Sequence, residues 1–187
     1  MCEIDLMESM DQEGRFKSLE DLQEGEENHP RTALMGVVPG VEVGDRFYYR
    51  FELAVVGLHR RFQAGIDNKN LNGEILVTSI VASSNTDNMN NADELTYVGE
   101  GGISNRKKFQ EDRKLGRGNL AMKNNIRAQN AIRVIRLMTA SVTNTELITA
   151  TLEVSVYDGL YVAQRCHQER GDHGRLIFEF KLKRNPG

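Results

Sequence analysis

The sequence of 187 residues contains no tryptophan, only three prolines and only two cysteines. Cys2 and Cys166 are far apart and neither belongs to a CxxC pair, which argues against a disulfide framework or a cysteine-based zinc site. A reducing intracellular compartment is the simplest interpretation. No run of about 18 apolar residues is present, so we expect no membrane span. The opening stretch, MCEIDLMESM, carries acids and no basic region, which is unlike a signal peptide.

The sequence also lacks recognisable catalytic motifs. Its four histidines are scattered, and no HNH pattern or pair of metal-binding carboxylates is recognisable. The glycine-rich stretch GEGGISNRKK lacks the GKS or GKT ending of a phosphate-binding loop. We therefore expect no enzyme activity, no metal and no cofactor.

Charge is distributed unevenly along the chain. Residues 1–28 hold ten acids and two bases, whereas the remaining residues hold 22 bases and 17 acids. Residues 103–136 alone hold ten bases and two acids. An acidic arm on a basic body indicates a polyanionic partner for the body, although ordinary solvated surface charge explains the pattern equally well.

Composition divides the chain into an arm and one domain. Residues 1–30 have low hydrophobicity and an acidic run, GEEN, so we predict a mostly disordered acidic arm before a single domain over 31–187. Residues 46–56 (RFYYRFELAVV) alternate in a way that predicts a strand with one buried face. A helix is predicted over 119–129 with Asn119 as its N-cap. Further strands are predicted over 75–82, 95–98, 131–138, 149–156, 160–166 and 175–183. Many short strands with few helices predict an α+β fold built on a curved sheet or open barrel.

Eight stretches, in this order, carry a resemblance to one family. They are VVPGVEVGDRFYYRFEL, VVGLHRRFQAGID, TSIVAS, NADELTYVGEGG, RGNLAMKNNI, IRVIR, VYDGLY and HGRLIFEFKLKRNPG. Together they resemble the SET- and RING-associated (SRA) domain of plant SU(VAR)3-9-related histone methyltransferases. That domain is also called YDG, after the tripeptide that here is Tyr157-Asp158-Gly159. The resemblance covers about Gly36 to Gly187.

The resemblance implies both a fold and a function. The fold is an SRA/PUA-like twisted β-barrel flanked by a few helices, with a crescent-shaped face for DNA. The function is recognition of 5-methylcytosine in duplex DNA by base flipping, as a nuclear chromatin reader without a SET or RING domain within these residues. The implied partners are methylated double-stranded DNA and chromatin proteins, with no membrane and no metal.

The resemblance also implies roles for individual residues. The stretch FQAGID matches a thumb that enters the minor groove, with Gln63 inserting and with Ala64 and Gly65 allowing close approach to the nucleotide. Tyr97 matches an aromatic wall of the base pocket. His59 and Asp67 are expected to brace the thumb, and the tripeptide at 157–159 is expected to be structural.

A basic loop matches the finger that reaches the major groove. It comprises Asn105, Arg106, Lys107 and Lys108, of which Arg106 is able to pair with guanine. The phosphate contacts expected beside the thumb and the finger are Arg60, Arg61, Arg113, Lys114 and Arg117.

The sequence departs from the family pattern in the pocket. The first pocket tyrosine is replaced by Thr86 or Asn85, and Val98 stands in place of a threonine. The acid that accepts a hydrogen bond from the cytosine amino group maps to Asp87 or Asn88. Two interpretations therefore stay open: a relaxed pocket that still captures methylated cytosine, or a degenerate SRA domain. The latter would bind DNA weakly or without regard to methylation, or would serve a protein-interaction role.

Overall fold

The computed structural model describes residues 33–83, 87, 93–100, 115–143, 149–170 and 176–186. The predicted acidic arm, residues 1–30, lies outside the described residues, as does most of the predicted finger region. The described elements are β1 (Arg46–Phe47), α1 (Arg50–Val55), β2 (Ile66–Leu71), β3 (Glu74–Ser83), β4 (Glu94–Val98), α2 (Arg117–Ala128), β5 (Ile132–Thr143), β6 (Thr149–Arg170) and β7 (Leu176–Arg184). In these ranges, neither helix has the length and apolar character needed to cross a bilayer.

One mixed sheet organises the domain. Its strand order is β2-β3-β5-β6-β7-β4, with β1 paired to β6. The β3–β5 pair is parallel, and the other pairs are antiparallel. The predicted α+β class is confirmed, with one correction: within the described residues no ladder joins the edge strands β2 and β4, so the sheet is not closed into a barrel. At this seam the Ile66 N–H donates to the Glu100 carboxylate at 2.8 Å, so a side chain takes the hydrogen bond that a neighbouring strand would have formed.

Apolar side chains cover both faces of the sheet. One cluster packs α2 against the strands through Ala121 and Met122, and the other packs α1 and its following turn through Leu53 and Leu58. Strand β7 fits its predicted alternation, because Phe178, Phe180 and Leu182 are all buried in the first cluster. The two clusters hold β3 and β5 from both sides, which fixes the loops at the ends of these strands.

The predicted strand over 46–56 is wrong. Only Arg46–Phe47 is extended, and α1 begins at Arg50. The reason is local: the Glu52 carboxylate accepts hydrogen bonds from the backbone N–H groups of Tyr48 (2.7 Å) and Tyr49 (2.9 Å). Donors left unpaired at a helix start are satisfied by a glutamate at its third position, and this outweighs the strand preference of the aromatic residues.

Three other boundaries differ from prediction. Strand β2 was not predicted because its sequence, IDNKNL, is mostly polar. Strand β6 runs without interruption through the two strands predicted over 149–156 and 160–166. Helix α2 begins at Arg117 with Gly116 as its N-cap, so the predicted capping role of Asn119 is wrong. The Asn119 side chain instead bonds the backbone of Glu100.

The Tyr157-Asp158-Gly159 signature has the predicted structural role. Arg136 Nε and the Tyr161 hydroxyl both donate to Asp158 Oδ2, the latter at 2.6 Å. Arg184 donates to Asp158 Oδ1 and to the Asp158 carbonyl. One carboxylate therefore ties together β5, β6 and β7.

We expect Asp158→Asn to destabilise the domain, because the amide replaces an acceptor with a donor that faces other donors. The free energy of unfolding should fall by about 1–3 kcal/mol, measured by urea denaturation. Glu153→Gln, at an exposed position on the same strand, is the control and should change little. An Asp158→Asn variant as stable as the parent protein would contradict the structural role.

Candidate nucleic-acid interface

The loop of residues 60–65 between α1 and β2, here called the thumb loop, is held by Arg50. Arg50 Nε donates to the Phe62 carbonyl (3.2 Å), and Nη2 donates to the carbonyls of Arg61 (3.4 Å) and Ala64 (2.8 Å). Three carbonyls of one short loop thus converge on a single guanidinium, whose fixed fork suits such bonding. The side chain of Gln63, between these carbonyls, is exposed.

His59 supports the same loop from the interior. It is 1% exposed, and its Nε2 lies 3.0 Å from the Ala64 carbonyl. Because a carbonyl only accepts, Nε2 carries the proton, and Nδ1 accepts from the Ser79 hydroxyl at 2.8 Å. Burial lowers the pKa of His59 to about 4, so the ring is neutral at physiological pH.

Asp67 anchors the start of the loop. Its carboxylate accepts from the backbone N–H, the Nε and the Nη2 of Arg60, each at 3.0 Å. Burial by itself would raise the pKa of Asp67, but the hydrogen bonds from Arg60 outweigh it and lower this pKa. The expectation that His59 and Asp67 brace the thumb loop is therefore confirmed, and Arg60 acts with them.

Tyr97 lies directly beneath the end of the thumb loop. A Cβ added to Gly65 would be 2.6 Å from the Tyr97 hydroxyl oxygen, so only glycine fits at this position without displacing the ring. The Tyr97 side chain belongs to the buried core and is 4% exposed. A base that stacks on Tyr97 therefore requires a neighbouring segment to shift as it enters.

Asp87 joins the ends of two strands beside Tyr97. Its Oδ2 accepts from the Ser83 N–H and its Oδ1 from the Val98 N–H, both at 2.7 Å. The acid of the family pocket maps to Asp87 or Asn88; Asp87 lies beside Tyr97, and Asn88 lies outside the described residues.

The predicted site residues are therefore partly brought together. Gln63, Ala64, Gly65, Asp87, Tyr97 and Val98 lie at the end of the sheet where the thumb loop meets β3 and β4. Thr86, Asn88, Asn105, Arg106, Lys107 and Lys108 lie outside the described residues, as do Arg113 and Lys114. Among the described residues, no group of three or more His, Cys, Asp or Glu side chains is placed to hold a metal ion.

Sequence reasoning missed three residues that position this site: Arg50, Glu100 and Asn119. The Asn119 side chain bonds the Glu100 backbone in both directions, accepting from its N–H (2.8 Å) and donating to its carbonyl (2.9 Å). Glu100 in turn bonds the N–H of Ile66, where β2 begins. These contacts join segments separated by 19 and 34 residues, which no local pattern reveals.

A cleft of about 300 Å³ opens on the other side of the thumb loop. Its walls are formed by Tyr48, Arg50, Phe62, Gln63, Gly65, Val81, Ser83, Leu137, Glu153 and Ser155. Val81 packs on the cluster around α1, whereas Tyr97 belongs to the cluster around α2. The cleft adjoins the predicted base pocket beside Tyr97: the two share Gly65, and the N–H of Ser83 in the cleft wall bonds Asp87.

Comparison with known proteins identifies the class of this domain. The model of the SAD/SRA domain family matches residues 34–187, and the chain therefore belongs to that family. It is 46% identical over 169 residues to the H3 lysine-9-specific histone-lysine N-methyltransferase SUVH5 of Arabidopsis thaliana, covering 87% of this chain and 21% of SUVH5. A YDG domain-containing protein of the same plant is 40% identical over 156 residues, which is 82% of this chain and 45% of that protein. The chain spans about a fifth of the length of the SUVH methyltransferases that it matches.

Solved structures match the fold as well. The SUVH5 SRA domain in complex with fully methylated CG DNA has a TM-score of 0.68 at 45% identity, covering 82% of this chain and 96% of that one. KRYPTONITE in complex with mCHH DNA, an H3(1-15) peptide and SAH has a TM-score of 0.77 at 30% identity, covering 90% of this chain and 38% of that one. The resemblance found in the sequence is thereby confirmed for family and fold.

Proposed function

We propose that residues 31–187 form a DNA-binding module that recognises 5-methylcytosine in duplex DNA by rotating the base out of the helix. The main support is the thumb loop, which is held by Arg50 and lies above Tyr97. The chain is also 45% identical to the SUVH5 SRA domain whose structure was solved in complex with fully methylated CG DNA. The role is that of a nuclear chromatin reader, and catalysis is not assigned to these residues.

In this proposal each part of the site has one task. Gln63 enters the stack from the minor groove and takes the place of the extruded base, while the braced backbone keeps it in position. Tyr97 supplies a stacking surface, and Asp87 accepts from the cytosine amino group. Burying one methyl group contributes only about 0.8 kcal/mol, so discrimination requires that the whole base be enclosed.

The remaining contacts of the proposal follow from the family resemblance. Asn105, Arg106, Lys107 and Lys108 would reach the major groove, and Thr86 or Asn88 would complete the pocket beside Val98. Arg61 of the thumb loop and Arg117 at the start of α2, both exposed, would contact phosphates.

Fluorescence anisotropy with duplexes that differ only in cytosine methylation, at two salt concentrations, tests the proposal. We expect tighter binding to the methylated duplex at both salt concentrations, with weaker binding to both duplexes at high salt. Tyr97→Ala should remove the methylation preference, costing about 1–3 kcal/mol, and Gln63→Ala should lower affinity for the methylated duplex. Equal, salt-sensitive binding of the parent protein to both duplexes would refute methyl recognition.

Two observations favour a second candidate, DNA binding without regard to methylation. Tyr97 is 4% exposed, and the replacement of a threonine by Val98 removes a hydroxyl from the pocket wall. A domain that keeps its thumb loop and exposed arginines but does not open the pocket would bind the backbone alone. The same duplex comparison separates the two candidates.

A further inference from the structure

The start of β2 is held by a carboxylate that carries negative charge into the proposed DNA-binding face. We infer that Glu100 has two opposed effects: its oxygen atoms fix the end of the thumb loop, and its charge weakens binding to any DNA duplex. The inference rests on the proposed DNA binding, though not on methyl recognition.

The position of the Glu100 carboxylate is fixed by its neighbours. Oε1 accepts from the Ile66 N–H at 2.8 Å. The backbone of Glu100 is bonded twice by the Asn119 side chain, and Oε2 packs against Gly118, where an added Cβ would clash. The group therefore has no free rotation that would carry its charge away from the thumb loop.

Two exposed cations flank this carboxylate. Arg61 lies on the thumb loop, with its Nε 3.8 Å from Asp67 Oδ1, and Arg117 is the first residue of α2; both charges act on Glu100. Of the described arginines that the sequence analysis expected to contact phosphates, these two are exposed, whereas the Arg60 side chain bonds Asp67. Burial raises the pKa of Glu100, and its backbone hydrogen bonds and the charges of Arg61 and Arg117 only partly oppose this.

A bound duplex would place phosphates where they compete with Glu100 for the same two cations. Charges within about 8–10 Å of each other interact through physiological salt, so the carboxylate repels phosphates that Arg61 and Arg117 attract. This repulsion acts on the DNA backbone and is therefore independent of the base. Glutamine would keep an oxygen for the Ile66 N–H while removing the charge.

The test is Glu100→Gln, measured by anisotropy on methylated and unmethylated duplexes in the full chain. We expect affinity for both duplexes to rise by a similar factor, about 3- to 10-fold, with a steeper salt dependence. The matched control is Glu94→Gln, the same charge change at the far end of β4. At about 3.3 Å per residue it lies about 20 Å away, beyond the screening length, and should leave affinity unchanged.

Two further measurements separate charge from support. Glu100→Ala removes the charge and also the acceptor for Ile66, so it should bind the methylated duplex less tightly than Glu100→Gln does. Thermal unfolding of the two variants is the second measurement: Glu100→Gln should keep the parent melting temperature, whereas Glu100→Ala should lower it because the Ile66 N–H loses its acceptor. A Glu100→Gln variant that keeps the parent melting temperature but binds no more tightly would overturn the inference. If the parent protein shows no methylation preference while Glu100→Gln still gains on both duplexes, methyl recognition fails and this inference stands.

Discussion

Replacing Arg50 with methionine should remove most of the preference for methylated over unmethylated duplex, while weak and salt-sensitive binding to either duplex remains. Methionine keeps much of the apolar stem but has no donor for the carbonyls of Arg61, Phe62 and Ala64. Without these hydrogen bonds the thumb loop would be less ordered in the free protein, so DNA binding would have to supply the free energy of ordering it. Fixing the backbone costs about 1–2 kcal/mol per residue, so ordering only two residues would lower affinity about 30-fold or more.

Two measurements distinguish this positioning role from a general loss of structure. Fluorescence of 2-aminopurine next to the methylated cytosine should rise when the parent protein binds, because flipping unstacks the neighbouring base, and should rise little with Arg50→Met. The melting temperature should change by only a few degrees, since the thumb loop is at the surface. The control is Arg46→Met, which removes an exposed arginine four residues earlier. An Arg50→Met protein with the parent's fluorescence rise and methylation preference would show that the loop needs no such support.

Elements with regular burial could be predicted from the sequence. Strand β7 alternates apolar and polar residues, and β3 is a nearly continuous apolar run, so both were located within one or two residues. The same alternation gave a wrong prediction for residues 46–56. Their period of two is real, but Glu52 lies where it satisfies the first N–H groups of a helix, and that hydrogen bonding determines the local structure.

In the candidate site, residues within local sequence motifs could be predicted, whereas residues that act through long-range contacts could not. Gln63, Gly65 and Tyr97 were expected at the site because family motifs contain them. His59 and Asp67 were expected to brace the thumb because they lie at recurring positions of the same family block. The supporting contacts could not be predicted. Arg50 reaches carbonyls that are 11 to 14 residues away, and Glu100 reaches an N–H that is 34 residues away. A side chain that bonds backbone groups places no constraint on the residue type of its partner, so the sequence carries no complementary signal.

These contacts support the thumb loop through side chains that lie outside it. Its carbonyls bond Arg50 and His59, and Arg60 bonds Asp67 through both its backbone N–H and its side chain. The adjoining Ile66 N–H bonds Glu100, whereas the Gln63 side chain is exposed. Rigid support of this kind lowers the entropy lost when a loop binds its target. Arg50 and Asp67 support the loop as charged groups, whereas His59 supports it as a neutral ring that acid can protonate.

The stability of the domain should fall as pH is lowered from about 6.5 to 4, and His59 should account for much of the change. Burial lowers the pKa of His59 from 6.5 to about 4, and the positive charges of Arg50 and Arg133 act in the same direction. Between these two values the unfolded chain binds a proton that the folded domain does not, so acid favours unfolding. Each pH unit changes the free energy of unfolding by about 1.4 kcal/mol, or about 3 kcal/mol over the whole window. Above pH 6.5 this residue contributes no pH dependence.

Urea denaturation of the parent protein and of His59→Gln from pH 4.5 to 8 measures this effect. Glutamine offers a donor for the Ala64 carbonyl without a titrating ring, so His59→Gln should be the less stable protein at pH 7.5. The difference should shrink towards pH 4.5, because only the parent loses the His59 contribution, while the carboxylates common to both proteins cancel. His167→Gln, which alters a largely exposed ring, should keep the parent's pH slope. Equal slopes for the parent and His59→Gln would mean that His59 takes up a proton as readily in the folded domain as in the unfolded chain, and a neutral brace under the thumb loop would then be untenable.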